Sequence, residues 1–442
     1  MSDQKKSNEL TIWHKRGTKI VRVPLVMVLA TFVTIIGLTV MLWSAERGRK
    51  THMRVEQPGE FSVLLPSIVG LTGGNIDGGN KVDLLENGDG YFPRLLEGIN
   101  GAKLSINLES YIWWKGDICL QIAEALAAKA RQGVEVRVLL DASGAHKMDG
   151  KLQELMTKAG CQVRKFHPIR FSNLGRLNNR DHRKIAIIDG RIGFIGGHGI
   201  AEQWTGHAQD RDHWRDTALR VEGPVVNRLQ SAFCENWTEE TGEITAGDRF
   251  FPKPVTAGNV SAHVAYTSPS GSVSSVQVLY YMAIASARRE IIIQNPYMLP
   301  DADAIEALSA AVKRGVHVYV MVPAAVATDS PIVQHASHHN FGTMLQRGVR
   351  IWEYQPTLLH QKILIVDGIW SCVGSTNFDD RSFQLNDEIS MGVIDRTLAT
   401  ELRAHFQADL RLSHERHFDE WKHRSLWHKM IDGLAYLGSN EL

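Results

Sequence analysis

His182-Arg183-Lys184-Ile185-Ala186-Ile187-Ile188-Asp189, followed by Gly196-Gly197, returns further along the chain as His360-Gln361-Lys362-Ile363-Leu364-Ile365-Val366-Asp367, followed by Gly374-Ser375. Both stretches obey the pattern H-x-K-x4-D-x6-G-[GS]. A single H-x-K is uninformative in a chain with 19 histidines. Its recurrence with Asp and the small pair at the same spacing implies two related halves, each bringing one His and one Lys to a shared site.

The surrounding segments repeat as well. Gly101 to Tyr111 (GAKLSINLESY) resembles Ser286 to Tyr297 (SARREIIIQNPY), Ala130 to Leu139 resembles Lys313 to Val320, and Gly160 to Arg164 resembles Gly348 to Trp352. In the first half, helical patterns over 91–101, 117–131 and 149–159 alternate with strand patterns over 104–108, 134–140 and 162–166. The buried strand 184–189 follows, with a hairpin partner at 191–195. That alternation predicts a mostly parallel sheet with helices on its faces. About ten extra residues precede the first histidine, in the basic loop from His167 to Asp181, which belongs at the rim of a site.

The 442 residues suffice for two domains plus appendages. The expected boundaries are a basic segment over 1–24, an apolar span over 25–43, a linker over 44–80 with a glycine-rich stretch at 73–79, domains over 81–255 and 256–415, and a C-terminal amphipathic helix or tail over 416–442. Leu25 to Trp43 is uncharged and long enough to cross a hydrocarbon core about 30 Å thick. A cleaved signal peptide fits less well, because the apolar run is long and Trp43-Ser44-Ala45 is a poor cleavage site. Six basic residues precede the span and four follow within a few turns, so its orientation stays open. A net charge of +1 leaves no footprint for nucleic acid. The four cysteines are scattered, without the spacing of a zinc site.

Two histidines, two lysines and no carboxylate cluster for a metal suit phosphodiester chemistry. One neutral imidazole attacks phosphorus, the other, protonated, supplies a proton to the leaving alkoxide, and Lys184 and Lys362 neutralise the non-bridging oxygens. An acid on the second ring nitrogen of each histidine would fix its tautomer, and Asp216 and Glu388 are the candidates. The odd spacing of Asp189 and Asp367 from their histidines favours structural pairing for both. Ser375 and Asn377 are placed to hydrogen-bond phosphate. Tyr111-Ile112-Trp113-Trp114 reads first as core, with an acyl-chain groove as the other possibility. His335, His338 and His339 have no carboxylate or cysteine near them in sequence, so they do not point to a metal site. Trp427, Met430, Ile431 and Leu434 keep a helical spacing that suits either packing on the domain or a membrane interface.

These motifs resemble those of the phospholipase D superfamily. The run LLHQKILIVDGIWSCVGSTNFDDRSFQLNDEI (358–389), Asn295-Pro296-Tyr297, Trp352 to Pro356 and Arg180 to Ile185 are similar to the cardiolipin synthases of that superfamily, over roughly residues 80 to 415. The resemblance implies two phospholipase D-like α/β sandwich domains forming a pseudo-twofold dimer in one chain; the single N-terminal transmembrane helix expected from the apolar span departs from the long bacterial forms, which often have two. It also implies a catalytic set of His182, Lys184, Asp189, His360, Lys362 and Asp367, no cofactor and no metal. The implied reaction transfers phosphatidyl between two phosphatidylglycerol molecules at the bacterial inner membrane; hydrolysis to phosphatidic acid, or transfer to another alcohol, is the alternative. One departure stands out: Gly199 occupies the position where the family usually has Asn.

Overall fold

The computed structural model describes residues 27–38, 52–168, 178–269 and 273–438. The chain divides after His52. In the first unit, residues 27–38 are helical (α1), with exposed apolar side chains and with Thr31 and Thr34 hydroxyls donating to the carbonyls of Met27 and Ala30. Among the described residues no helix is long and apolar enough to cross a membrane. The remainder of the expected 25–43 span, the basic segment 1–24 and most of the loop before His182 lie outside the described residues.

The second unit opens with α2 (Phe61–Thr72) and then runs through the first half. Its early elements are β1 (Asp77–Glu86), α3 (Asn87–Gly101), β2 (Ser105–Ser110), α4 (Asp117–Arg131) and β3 (Glu135–Asp141). There follow α5 (Gly150–Lys158), β4 (Gln162–Phe166), β5 (Arg180–Asp181), β6 (Lys184–Ile188), β7 (Ile192–Gly196), β8 (Thr217–Glu222) and α6 (Val226–Thr241). The second half begins with β9 (Val260–Thr267), α7 (Ser275–Ser286), β10 (Glu290–Gln294), β11 (Met298–Leu299), α8 (Ala302–Lys313) and β12 (His317–Pro323). Next come α9 (Pro331–Gln346), β13 (Arg350–Tyr354), β14 (Ile363–Val366), β15 (Trp370–Gly374), β16 (Phe378–Asp379), α10 (Asp380–Gln384) and β17 (Asn386–Ile394). The chain closes with α11 (Arg396–Leu410), β18 (Ser413–Arg416), α12 (Phe418–Lys422) and α13 (Leu426–Tyr436).

The strand order is palindromic about the β1–β9 junction. Outward from it, the first half runs β1-β8-β7-β6-β2-β3-β4 and the second β9-β17-β15-β14-β10-β12-β13, with β18 added at the far edge. The duplicated motifs thus occupy equivalent strands, β6 and β14. Two cores line the outer faces, one under α3, α4 and α5 and one under α2, α7, α8 and α9. A third is shared, where Ile185, Ile195 and Leu219 join Ile363, Val373 and Met391 together with side chains of α6 and α11.

Two expectations need correction. The sheet is mixed rather than mostly parallel: β2-β3-β4 and β10-β12-β13 pair in parallel, as does the short β5 with β17, and the other neighbours along the strand order are antiparallel. Parallel pairing needs a crossover long enough for a helix, whereas the strands carrying the motifs are joined by tight turns and run antiparallel. The 44–80 stretch is not simply a linker. Phe61, Leu64 and Ile68 of α2 are buried in the second-half core, Pro66 is accommodated within that helix, and Asp77-Gly78-Gly79 opens the central strand β1.

The motif aspartates explain those tight turns. Asp189-Gly190 and Asp367-Gly368 all have positive φ (53° and 62°, 56° and 62°), the backbone of a type I′ hairpin turn. Arg191 N and Ile369 N donate back to Ile188 O and Val366 O. The carboxylate of Asp189 accepts from the N–H groups of Lys103, Leu104 and Ser105, and that of Asp367 from Arg288, Arg289 and Glu290. Each therefore ties the end of its strand to the start of β2 or β10, about 20 Å of strand away from its histidine. The resemblance had grouped both with the catalytic residues; this geometry assigns them to turn and anchor. Asp189→Ala or Asp367→Ala is expected to cost about 2 kcal/mol in unfolding experiments, by leaving several N–H donors without an acceptor. The Asn variants keep an acceptor oxygen and a turn-compatible backbone, so they should lose less and keep the chemistry of the folded protein.

Candidate functional site

Side chains alternate along a strand, so His and Lys of each motif share one face and the residue between them points to the other. On the reverse face, Arg183 is fully buried, donating to Ala232 O, Glu235 and Thr267 O, while Gln361 Oε1 accepts from Thr217 Oγ1 (2.7 Å). Both middle residues therefore bond across to the other half.

The site face is built by the same exchange. His182 N donates to Asp387 O of the second half (2.9 Å) and its Nδ1–H to Glu388 (2.9 Å). In mirror fashion, His360 N donates to Arg215 O of the first half (2.7 Å) and its Nδ1–H to Asp216 (2.7 Å). A carboxylate only accepts, so each Nδ1 carries the proton and each Nε2 keeps its lone pair. Lys184 Nζ donates to His182 O (2.7 Å), and Lys362 Nζ lies 3.1 Å from both nitrogens of the His360 ring. Asp216 and Glu388 were legible in the sequence as the two acids; that each serves the other half's histidine was not.

All six groups are buried, and burial sets the direction of the shift for the two histidines and the two lysines. It drives His182 down to about 4 and His360 to about 3, against the pull of their carboxylates. Burial, helped by repulsion from Lys362, brings Lys184 to about 7, and burial brings Lys362 to about 8. Burial alone would raise Asp216 and Glu388, but the facing imidazoles and lysines outweigh it and hold both below the usual carboxylate range. Below about pH 7, where both lysines are cationic and the imidazoles neutral, two ammonium groups balance two carboxylates.

The halves differ in how they support their acid. Ser375 Oγ donates to Glu388, so its contact is with the orienting carboxylate. At the matching Gly197 a Cβ would sit 2.3 Å from Asp216 Oδ1, so no side chain fits. Trp204 Nε1 donates to Asp216 instead (2.8 Å). Gly199 follows from the same substitution, because a Cβ there would lie 3.0 Å from the Trp204 ring and from Ile112 Cβ. The indole crowds the space that a side chain at position 199 would need. Asn377, at the equivalent position of the second half, is buried with its Oδ1 unpartnered.

Aromatic rings wall the site. Tyr111 meets His182 edge-on at 5.1 Å, while Trp204 and Trp214 flank His360 at 5.1 and 5.6 Å. The Tyr111–Trp114 run therefore divides: Tyr111 faces the site, Trp113 is core, and Trp114 leans on Trp204 and Trp214. Trp204 and Trp214 were missed in the sequence, since no spacing marks an isolated aromatic as a neighbour of a distant histidine.

Comparison with solved structures places this arrangement among known folds. The chain superposes on phosphatidylserine synthase of Haemophilus influenzae with a TM-score of 0.63 at 14% identity, over 84% of this chain and 98% of that one. It also superposes on polyphosphate kinase of Porphyromonas gingivalis with a TM-score of 0.52 at 18% identity, over 81% of this chain and 53% of that one. At such identities the likeness is one of fold. Sequence comparison is more specific. A family model described as "Cardiolipin synthase, PLD-like domain" matches residues 95–237 and 280–410. The cardiolipin synthase of Oceanobacillus iheyensis is 34% identical over 81% of this chain and 74% of its own length. The major cardiolipin synthase ClsA of Bacillus subtilis is 33% identical, with the same coverage of both chains. The chain belongs to the PLD-like cardiolipin synthase family.

Gly197→Ser is expected to displace Asp216 and destabilise the fold by about 1–3 kcal/mol through overpacking, and Ser375→Ala to cost about 1–2 kcal/mol through the lost buried hydrogen bond to Glu388. A Gly197→Ser variant as stable as the parent in thermal unfolding would contradict this account of the asymmetry.

Proposed function

We propose that the chain is a phosphatidyltransferase that moves a phosphatidyl group from one phosphatidylglycerol to another, giving cardiolipin and glycerol. The observation that carries this reading is the reciprocal pair of carboxylate-oriented histidines, each beside a buried lysine, in a chain of this family. A charge-neutral pocket that receives a phosphodiester anion gains an electrostatic reason to take up a proton, and an imidazole is the nearest acceptor. One histidine is then imidazolium and the other neutral. The neutral Nε2 attacks phosphorus; the P–O bond to glycerol breaks, and the leaving oxygen takes the imidazolium proton. The hydroxyl of a second phosphatidylglycerol then gives its proton to the imidazole just deprotonated, attacks the phosphohistidine phosphorus and frees the first histidine.

In this reading Lys184 and Lys362 bind the non-bridging oxygens, Asn377 supports the phosphate, and Ser375 acts through Glu388. Asp216 and Glu388 stabilise the imidazolium as it forms. Residues 25–43 serve as a single-pass anchor in the inner membrane, so that the domains over 81–255 and 256–415 work at the bilayer surface. No metal takes part in these steps.

Purified full-length protein incubated with labelled phosphatidylglycerol should release glycerol and form cardiolipin; phosphatidic acid as the sole lipid product would overturn the transferase reading. His182→Ala and His360→Ala should each abolish turnover, and near-normal activity in either would end the shared-site mechanism. Asp216→Asn and Glu388→Gln should each lower turnover roughly 10²–10⁴-fold with the fold intact. The lysines also set a pH dependence. Both are cationic below their depressed values and lose that charge as pH rises through about 7 for Lys184 and about 8 for Lys362, so kcat/KM should fall across that interval. A rate that stays flat well into the alkaline range would contradict phosphate binding by these ammonium groups.

A further inference from the structure

Helix α13 is built inside out. Asp432 is its one fully buried residue, and it turns inward to accept from His335 Nδ1 (2.8 Å) and Arg424 Nη1 (2.6 Å). Beside it Tyr436 stacks on His339 at 4.3 Å, and Ala435 and Tyr436 pack against the cluster of Leu299, Val333 and Ala336. The carboxylate that the histidines lacked in sequence thus arrives from α13. The ligating atoms of His335, His338 and Asp432 lie within 4.8 Å of one another, but the Arg424 guanidinium already takes one Asp432 oxygen and disfavours a metal cation there.

The outward side is apolar. Leu426, Trp427, Met430, Leu434 and Leu437 are between 47% and 83% exposed, and at helical spacing they share a stripe about 100° wide. Lys429 lies beyond its edge, its ammonium donating to the carbonyl of Lys422 at the end of α12 (2.6 Å). A helix in water normally turns such a stripe inward; this one buries an ion pair and offers the stripe to its surroundings. One helix face offers several hundred Å², short of the roughly 800 Å² per partner that a specific protein interface needs. The stripe also adjoins the site. Tyr297, which shares with Ala435 and Tyr436 of α13 the small apolar cluster of Leu299, Val333 and Ala336, donates its hydroxyl to Asp329 (2.8 Å), and Asp329 is among the carboxylates acting on Lys362. Val326 and Ile332, on either side of Asp329 in the chain, are exposed as well.

We propose that α13 is a bilayer-docking helix: its apolar stripe lies in the headgroup–acyl boundary, with Lys429 reaching back to the headgroups, and it holds the part of the protein that carries the histidine site against the membrane surface. This rests on the reading that the substrate is a bilayer lipid, and it adds an element that positions the site rather than one that reacts.

The test uses the full chain reconstituted in phosphatidylglycerol-containing vesicles, with Cys234, the one half-buried cysteine, replaced by Ser. Single variants Trp427→Cys, Leu434→Cys and Lys429→Cys carry an environment-sensitive fluorophore, and quencher-bearing lipids report its depth. Labels at 427 and 434 should be quenched by the lipid-borne quencher, and the label at 429 much less. Labels at 427 and 434 that stay water-exposed, or that are shielded only by self-association reversed on dilution, would overturn the proposal. Because quenching needs no turnover, it is scored whether or not the reaction proposed above is correct. As a second readout, a combined Leu426→Ser, Met430→Ser, Leu434→Ser variant should turn over vesicle lipid about tenfold more slowly, with monomeric short-chain phosphatidylglycerol unaffected. Equal loss on both substrates would mean that the helix serves the fold alone, and would overturn docking.

Discussion

Each histidine of this site takes its orienting carboxylate from the opposite half of the chain. His182 leans on Glu388 and His360 on Asp216, and the main-chain bonds to Asp387 O and Arg215 O repeat the exchange one residue away. Neither half contains a complete proton-transfer unit. A buried imidazole without its acid would have no fixed tautomer, and a buried carboxylate without its imidazole would be an uncompensated charge, costing several kcal/mol. Docking of the halves and assembly of the site are therefore one event.

The shared core gives that event its driving force. Apolar side chains of β6, β7 and β8 meet those of β14, β15 and β17, while Arg183 and Gln361 extend the crossing bonds on the reverse face. Alternation along β6 and β14 separates the tasks: His and Lys point to the site, and the residue between them points to the interface. The Asp-Gly turns at the far ends fix where each strand stops and bind it to the neighbouring strand start. Each H-x-K-x4-D motif thus joins reactive groups at one end to a structural anchor at the other.

Duplication has not kept the halves identical. Where Ser375 donates to Glu388, the first half has Gly197, and the donor to Asp216 comes from the Trp204 indole. The indole needs the room that Gly199 leaves. Both solutions supply one hydrogen bond to an orienting acid. The aromatic one also walls His360 with Trp204 and Trp214, whereas His182 meets Tyr111 alone among these rings.

By itself the sequence determined the duplication, the alternating helices and strands between residues 91 and 195, the two His-Lys pairs and their candidate acids, because those features are periodic or sit at fixed spacing within short segments. It also marked Asp189 and Asp367 as structural through their odd spacing. Several matters were decided only in three dimensions: which acid serves which histidine, why Gly199 stands where it does, the mixed pairing of the sheet, the packing of residues 61–72 on the second half, and the burial of Asp432 beneath an apolar helix face. Each depends on contacts between residues far apart in the chain. Local pattern carries information about a side chain's own strand or helix, but the partner across a packed interface is chosen by how the two halves fit together.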